Sequence, residues 1–333
     1  MRAALFALLL LFLSPAAAEA QEAVPAAVVA LTVDTINNAD LASIAATYVP
    51  ASDKPHPDPA IVRLQVLLDR AGASPGVIDG FDGENVRKAV LAFEQMHGLP
   101  PDGLLDPDVL AALEAGEPVI GDYEVTANDV ADVGAPIPKD YAEQATREFL
   151  GYASITEELG ERFHMDVDLL KALNPGATYA AGERILVAAY GPDLTGEVAR
   201  IEADKSLRQV RAYDAGDHLI AAYPATIGSE DTPSPVGTYE VKGVARMPVY
   251  SYNPELNFQQ GKNTAKLTIP PGPNNPVGSV WIDLSKPSYG IHGTPEPSLI
   301  DKTSSHGCVR LTNWDANELA GMVKPGVEVA FVG

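Results

Sequence analysis

The chain contains a single cysteine, Cys308, in 333 residues, so an internal disulfide is excluded. Lysine and arginine are also scarce: 23 of them face 45 aspartates and glutamates, which gives a formal net charge of −22. Without a basic stripe to neutralise phosphates, the chain is not expected to bind nucleic acid. Its 46% content of hydrophobic residues is enough for globular cores, and its length predicts two or three domains.

No apolar run is long enough to predict a membrane span. Residues 3–13 are uninterrupted apolar positions, and these eleven residues fall short of the roughly 20 that cross a bilayer. Arg2 precedes the run, and small residues around Ala20 follow it, so residues 1–20 are predicted to be a cleavable signal peptide rather than a buried helix. No cysteine comes directly after the run, so no lipid anchor is expected. The predicted location of the mature protein is the periplasm.

The lone thiol lies in a motif that suits nucleophilic catalysis. A free thiol is only a few per cent ionised at neutral pH, so a nucleophilic cysteine needs a neighbouring base. His306 lies two positions before Cys308, on the same face if the backbone is extended, and His292 could reach the thiol from a neighbouring strand. The two segments are Ile291-His292-Gly293-Thr294 and Ser305-His306-Gly307-Cys308-Val309-Arg310-Leu311.

Two glycines and an arginine complete the predicted site. Gly293 and Gly307 have no side chain to block a substrate backbone, and Gly307 leaves the N–H of Cys308 free to stabilise an oxyanion. Arg310 could pair with a substrate carboxylate or with a structural carboxylate of the protein. Two alternatives stay open for the cluster: a buried structural cysteine, and a zinc site made of the thiol and the two histidines.

The N-terminal third predicts a linker followed by a small helical module. Residues 21–59 are rich in alanine, valine and proline and are predicted to be a variable lead-in ending in a proline-rich linker. Over residues 60–116 apolar positions recur at helical spacing, between glycine-rich turns. This predicted three-helix module resembles the peptidoglycan-binding module of cell-wall enzymes. The resemblance rests on Leu64-Gln65, Val77-Ile78-Asp79-Gly80, Ala89-Val90, Phe93, Gly98-Leu99 and Asp102-Gly103-Leu104.

Residues 121–190 predict a second small unit in the order strand, helix, helix, strand. This βααβ unit resembles a LysM glycan-binding module. The resemblance rests on Leu159-Gly160-Glu161-Arg162-Phe163, on positions 169–174 and on Gly182-Glu183-Arg184-Ile185. An insert, about residues 129–151, separates the first strand from the first helix. His164, between the two helices, is predicted to be a surface residue.

After residue 191 the apolar period changes from helical spacing to two. Alternating segments at 198–203, 207–213 and 219–227, with turns between them, predict antiparallel strands. Further strands are predicted at 237–244, 279–284 and 327–332, and a helix at 314–323. The fold class is therefore multidomain α+β, with a mainly-β domain over residues 197–333.

This C-terminal region resembles the L,D-transpeptidase catalytic domain of the YkuD/ErfK type. The cysteine and histidine motifs carry the resemblance. Companion segments support it: Tyr223-Pro224, Ile227-Gly228, Thr232-Pro233, Pro235-Val236-Gly237-Thr238-Tyr239 and Pro271-Gly272-Pro273-Asn274-Asn275-Pro276-Val277-Gly278. The resemblance implies a nucleophile, Cys308; a base held by a backbone carbonyl, His292; a site-shaping pair, His306 and Gly307; and substrate contacts at Tyr289, Gly293, Ser305 and Arg310.

The resemblance also implies the reaction. The thiol would attack the third-residue carbonyl of a peptidoglycan tetrapeptide stem, expel D-alanine and pass the acyl group to an amine, giving a 3→3 crosslink. A lysine of an outer-membrane lipoprotein and water are alternative acceptors, and a non-catalytic wall-binding protein is an alternative from another class. No metal or cofactor is expected. Residues 247–267, with Tyr250, Tyr252 and Phe258, predict either a lid or an ordinary aromatic hairpin.

Overall fold

The computed structural model describes residues 30–44, 56–113, 116–228, 232–256, 258–303, 305 and 307–333. The predicted signal peptide lies outside these residues. The N-terminal elements are α1 (Val33–Asn37), α2 (Pro59–Arg70), α3 (Glu84–Met96), α4 (Pro107–Leu113), β1 (Ile120–Glu124), α5 (Ala127–Ala131), α6 (Tyr141–Gln144), α7 (Ile155–Arg162), α8 (Val167–Leu173) and β2 (Arg184–Ala188).

The remaining elements form the C-terminal region. They are β3 (Arg200–Asp204), β4 (Gln209–Tyr213), β5 (Leu219–Pro224), β6 (Thr226–Ile227), β7 (Gly237–Arg246), β8 (Tyr250–Tyr252), β9 (Leu267–Ile269), β10 (Val280–Leu284), β11 (Gly290–His292), β12 (Val309–Arg310), α9 (Asn313–Met322) and β13 (Glu328–Val332). None of the helices in the described residues is both long and apolar enough to cross a membrane.

Helices α2, α3 and α4 follow the predicted helical spacing. Asp58 caps α2 by accepting a hydrogen bond from the Ala60 N–H, and Pro59 occupies the first helical turn, where its missing N–H costs nothing. The buried Gln65 of α2 accepts hydrogen bonds from the N–H groups of Asp79 and Gly80. The first Asp-Gly turn is therefore held by the helix that precedes it.

The second unit contains the predicted strands and helices. Strands β1 and β2 pair antiparallel, and α7 and α8 lie between them in sequence. The predicted insert carries two further short helices, α5 and α6, which periodicity did not predict because each has only about one turn. Its base is anchored to the unit: the buried Asp129 accepts a hydrogen bond from Tyr123 and pairs with Arg162.

The C-terminal region is built on one nine-stranded sheet, which confirms the predicted mainly-β domain. The strand order is β5-β4-β3-β13-β7-β10-β11-β12-β6. Most neighbours are antiparallel, but β13 pairs parallel with β3, and β11 pairs parallel with β12. Strands β8 and β9 form a separate two-stranded sheet outside this order. The short strands β11 and β12 bring the histidine and cysteine segments together.

The lead-in differs from its prediction as a variable segment over residues 30–44. Ile36 and Leu41 are buried in the core shared by the two N-terminal units. The Asn37 side chain accepts hydrogen bonds from the N–H groups of Val119 and Ile120 and donates to the Ile120 carbonyl. These residues are packed because two apolar side chains and one amide find partners that are distant in sequence.

His164 also differs from its prediction, because it lies in a junction between the three units rather than on the surface. Its Nδ1 is 2.8 Å from Asp69 of α2, and its ring stacks on Tyr190 and on Trp314 of α9. The His164 carbonyl accepts a hydrogen bond from the Ile78 N–H. Sequence spacing could not predict this position because its neighbours come from three separate parts of the chain.

An ion cluster joins the helical module to the catalytic region. Lys88 of α3 lies 2.7 Å from Asp301, and the exposed fractions of the two side chains are 6% and 5%. Arg208 bridges Asp301 at 2.7 Å and Glu84 at 2.9 Å. Since Asp301 lies on the loop that leads to Cys308, the cluster fixes this loop against the N-terminal module.

We expect Lys88→Met to lower the free energy of unfolding by about 3 kcal/mol, because it leaves the buried Asp301 carboxylate with one cation fewer. The double variant Lys88→Met/Asp301→Asn should recover part of the loss. Lys324→Met, which removes an exposed ion pair with Glu197, is the matched control and should change stability little. Urea unfolding measures all three, and equal small losses for Lys88→Met and the control would contradict the prediction.

Candidate active site

The parallel pairing of β11 with β12 forms the site. In this register His292 is the direct neighbour of Arg310, and Ile291 the neighbour of Val309. Cys308 immediately precedes β12, so the thiol lies beside the end of β11. Three predicted site residues separated by up to eighteen positions in sequence therefore become neighbours through two very short strands.

A cavity of about 190 Å³ contains these side chains. Cys308, His292 and Arg310 line it together, and the predicted substrate residues Tyr289 and Ser305 contribute to its wall. The rest of the lining is largely apolar and aromatic: Tyr141, Tyr250, Leu256, Phe258, Pro276, Val277, Trp281 and Ser288. The cavity thus combines three polar side chains, those of Cys308, His292 and Arg310, with a largely apolar lining.

His292 is held as a neutral base. Its Nδ1 lies 2.7 Å from the Gly293 carbonyl oxygen, which can only accept, so Nδ1 carries the proton and Nε2 is left as the acceptor. Burial lowers the pKa of His292 to about 3, and the positive charge of Arg310 adds to this effect. Trp281 stacks on the imidazole with ring centroids 5.5 Å apart. The ring is therefore fixed in orientation and uncharged near neutral pH.

Cys308 rests as a thiol. Burial raises its pKa above the ordinary range, whereas the Gly290 N–H and the Arg310 charge act in the opposite direction. The sulfur donates a weak hydrogen bond to the Ser288 carbonyl oxygen at 3.6 Å. A protonated thiol that shares a cavity with a neutral imidazole suits general-base catalysis, in which the proton must move as the sulfur attacks.

The positive charge of Arg310 acts on both catalytic candidates. It lowers the pKa of His292, and it opposes the rise that burial causes in the pKa of Cys308. The Nε of Arg310 is buried and has no hydrogen-bond partner within the described part of the chain, and the charge of Glu296 acts on it without forming an ion pair among the described residues. A structural salt bridge, the alternative considered for this residue, is thus not observed there. A buried unpaired guanidinium N–H in a cavity is suited to an incoming anion.

We expect Arg310→Gln to slow the alkylation of Cys308 by iodoacetamide about threefold to tenfold at pH 7.5, because losing the nearby positive charge raises the pKa of the thiol. The pH midpoint of the alkylation rate should move upward. Lys302→Gln, which removes an exposed positive charge on the preceding loop, is the control and should leave the midpoint in place. A downward shift for Arg310→Gln would contradict the assigned direction.

Close contacts leave little room for a side chain at Gly307 and Gly293. Gly307 has φ +104°, a region open to glycine, and a Cβ there would lie 3.0 Å from Cε1 of Tyr289. A Cβ on Gly293 would lie 2.2 Å from Asn313 Oδ1, so Gly293 allows α9 to pack behind the site. Gly293 is not among the residues that line the cavity, and its carbonyl accepts the hydrogen bond from His292; its predicted contact with substrate stays a prediction.

The Ser305 hydroxyl is already occupied by the backbone. It donates to the Cys308 carbonyl at 2.6 Å and accepts from the Gly228 N–H at 2.7 Å. Although Ser305 lines the cavity, these bonds mean that it shapes the cysteine loop. His306 lies outside the described residues, so its predicted role as a second histidine and the zinc alternative that includes it stay predictions. No group of three or more potential metal ligands occurs in the part of the chain that is described.

Trp281 and Tyr141 are two of the cavity residues that were not predicted from the sequence. Trp281 lies directly opposite His292 in the antiparallel pair β10–β11, and the alternation of its strand was the one signal that could have placed it. Tyr141 comes from α6 of the insert, more than 160 positions before Cys308 in sequence. No local pattern connects it to the site.

Comparisons with known proteins identify the family of this chain. Residues 199–330 match the family model of the YkuD L,D-transpeptidase catalytic domain, and residues 57–113 match that of a peptidoglycan-binding domain. A protein of Bacillus licheniformis named L,D-transpeptidase YkuD is 32% identical over 179 residues, which are 53% of this chain and 92% of that protein. The chain belongs to the L,D-transpeptidase family. It is a transpeptidase enzyme, and peptidoglycan is its substrate.

Two further proteins are similar to this L,D-transpeptidase at lower identity. YbiS of Escherichia coli K12, also named as an L,D-transpeptidase, is 28% identical over 123 residues, or 36% of this chain and 40% of YbiS. The crystal structure of an L,D-transpeptidase from Xylanimonas cellulosilytica is similar over 86% of this chain and 99% of that one, at 18% identity and a TM-score of 0.36. Neither matched family range includes residues 121–190, so the LysM-like unit stays a prediction.

Proposed function

We propose that Cys308 is the nucleophile of an L,D-transpeptidase that attacks the third-residue carbonyl of a tetrapeptide stem and releases D-alanine. The observation that carries the proposal is that the lone thiol shares one cavity with a neutral imidazole and with Arg310, whose buried Nε has no hydrogen-bond partner among the described residues. The family membership supplies the substrate class, and this cavity supplies the side chains for the chemistry.

The acylation step uses the proton that the resting thiol carries. As the sulfur attacks, His292 Nε2 takes this proton, and the carbonyl oxygen of the stem becomes an oxyanion. The N–H of Cys308, freed by the glycine before it, is the proposed donor to this oxyanion. Collapse of the intermediate breaks the peptide bond, the imidazolium returns the proton to the departing D-alanine amine, and the acyl group remains on sulfur as a thioester.

Arg310 is the proposed anchor of a substrate carboxylate. Stem peptides end in a carboxylate, and the unpaired Nε of Arg310 would gain a charge-assisted hydrogen bond on binding it. The same positive charge makes the thiolate easier to form. One residue would thus combine substrate recognition with activation of the nucleophile.

The proposed acceptor is the side-chain amine of a neighbouring stem, which gives a 3→3 crosslink. The amine attacks the thioester, gives up a proton through His292 and regenerates the thiol. The aromatic wall supports an amine over water, because apolar cover around a thioester disfavours hydrolysis. A lysine of an outer-membrane lipoprotein and water are the other acceptors that the test below separates.

We further propose that the N-terminal units keep the enzyme on the cell wall after export to the periplasm. The peptidoglycan-binding domain and the LysM-like unit would raise the effective concentration of the catalytic site over an insoluble substrate. The buried ion cluster at Lys88 and Asp301 supports a defined orientation of the first unit relative to the site.

The test is mass spectrometry of muropeptides after the mature protein has acted on peptidoglycan rich in tetrapeptide stems. A 3→3 dimer formed together with free D-alanine supports the proposal. Tripeptides without dimers identify water as the acceptor, and a stem peptide joined to an added lysine peptide identifies a protein acceptor. Unchanged muropeptides, with intact Cys308 verified by alkylation, would contradict the proposed activity.

A further inference from the structure

The insert of the second unit extends from its own unit to the catalytic cavity. Its far part, residues 139–150, contacts the aromatic hairpin, which we define as residues 250–269 (β8, β9 and their connection). The Tyr141 N–H donates to Gln260 Oε1 at 3.2 Å, and Gln260 Nε2 donates to the Lys139 carbonyl at 2.8 Å. Asn263 Nδ2 donates to Asp140 Oδ1 at 3.2 Å. Insert and hairpin are thus joined by reciprocal polar contacts.

A small apolar core lies beneath these hydrogen bonds. Leu150, Tyr252 and Ile269 form a buried cluster that is separate from the two larger cores among the described residues. The N–H of Leu150 donates to the Pro271 carbonyl, and its own carbonyl accepts from the Asn274 N–H. The insert and the hairpin therefore share a core, and the hairpin takes no part in the main sheet.

Tyr141 lies at the centre of this contact and reaches the cavity. Its ring makes edge-on contacts with Tyr250, Tyr252 and Phe258, at centroid distances of 6.1, 5.3 and 6.2 Å. It lines the same cavity as Cys308. Burial raises the pKa of Tyr141 to about 12, so the hydroxyl is neutral at the cavity wall.

We propose that the insert is an active-site element: Tyr141 forms one wall of the donor cavity and, by seating the aromatic hairpin, determines how large a group can reach Cys308. Tyr141 is thus a positioning residue. Its effect on which donor peptide is accepted rests on the proposed transpeptidation. The size of the opening is a property of the protein that can be measured without turnover.

The single cysteine makes the test direct, because every alkylation event reports on Cys308. Rates are compared for iodoacetamide, a small reagent, and a pyrene maleimide, a bulky one. We expect Tyr141→Ala to speed the bulky reagent about tenfold and the small one less than about threefold, because the hairpin loses its aromatic contacts. Tyr141→Phe keeps the ring, so the ratio of the bulky-reagent rate to the small-reagent rate should stay at the wild-type value.

Two further variants complete the design. Gln260→Ala removes the reciprocal hydrogen bonds but keeps the ring, and it should raise the bulky-to-small ratio in the same direction. Glu143→Ala, an exposed position on α6, is the matched control and should leave the ratio unchanged. If Tyr141→Ala fails to fold, Gln260→Ala decides the question.

An unchanged ratio in the folded Tyr141→Ala variant, or in Gln260→Ala where that variant decides, overturns the inference. Equal acceleration of both reagents also overturns it, since that result means general loosening. D-alanine release from a tetrapeptide stem is measured in parallel, and the Tyr141→Ala effect should appear in KM more than in kcat. If the wild type releases no D-alanine, the proposed function fails, whereas the alkylation ratio still decides the role of the insert.

Discussion

Replacing Cys308 with alanine is expected to abolish D-alanine release, with a loss of at least about 10³-fold, because no other side chain can form the acyl-enzyme. The chain has no second cysteine to substitute for it. The fold should be little affected, since the hydrogen bond from the sulfur to the Ser288 carbonyl is long and weak, at 3.6 Å. Intact-protein mass spectrometry should detect a thioester adduct on the wild type and none on Cys308→Ala.

The control for this experiment is Ser298→Ala, an exposed position on the loop before the cysteine motif. It should retain the adduct and the rate. Comparable thermal unfolding of all three proteins makes a loss of activity attributable to the thiol. Sustained D-alanine release by a folded Cys308→Ala protein would rule out nucleophilic catalysis by this residue.

His292→Asn is expected to lower kcat by about 10²- to 10⁴-fold, the usual contribution of a general base. Asparagine can still donate to the Gly293 carbonyl, as Nδ1 of the histidine does at 2.7 Å, but it has no counterpart of Nε2. The thiol proton must then pass to solvent. The residual rate should therefore rise with pH until the thiol itself ionises.

The pH profile of the wild type gives a second check on His292. Because its pKa is lowered to about 3, the imidazole stays neutral from pH 5 to 8 and becomes protonated only below that pKa. The kcat/KM profile should have no acid limb between pH 5 and 7. His218→Asn makes the same change at an exposed histidine and should have no effect. An acid limb near pH 6.5 that disappears in His292→Asn would contradict the assigned direction.

The sequence predicted which polar side chains share the cavity better than it predicted the rest of the lining. The motif around Cys308 and the segment around His292 indicated a thiol and a base, because those residue types have few other uses so close together. Arg310 was also identified, from its position two residues after the thiol. Its lack of a carboxylate partner among the described residues could not be predicted, since that depends on every group that packs nearby.

The insert shows why the other residues around the cavity could not be predicted from local sequence patterns. Its helix α6 has four residues, too few for a periodic signal, and Tyr141 gains its role only through contacts with residues more than a hundred positions away. His164 is a similar case, because spacing alone made it a surface residue, whereas packing between the three units leaves only 12% of its side chain exposed. The aromatic hairpin was identified, and the structure adds the insert that covers it.

The sequence by itself determined the helical module, the alternating strands of the main sheet, and the two segments that contribute Cys308 and His292 to the cavity. These features depend on periodicity and on side-chain chemistry, which are properties of neighbouring residues. Only the tertiary structure decided which groups surround the thiol, that His292 is buried and neutral, and that a wall of the cavity comes from another unit. Burial and long-range contact set these properties, because desolvation and packing depend on residues that the chain brings together only when it folds.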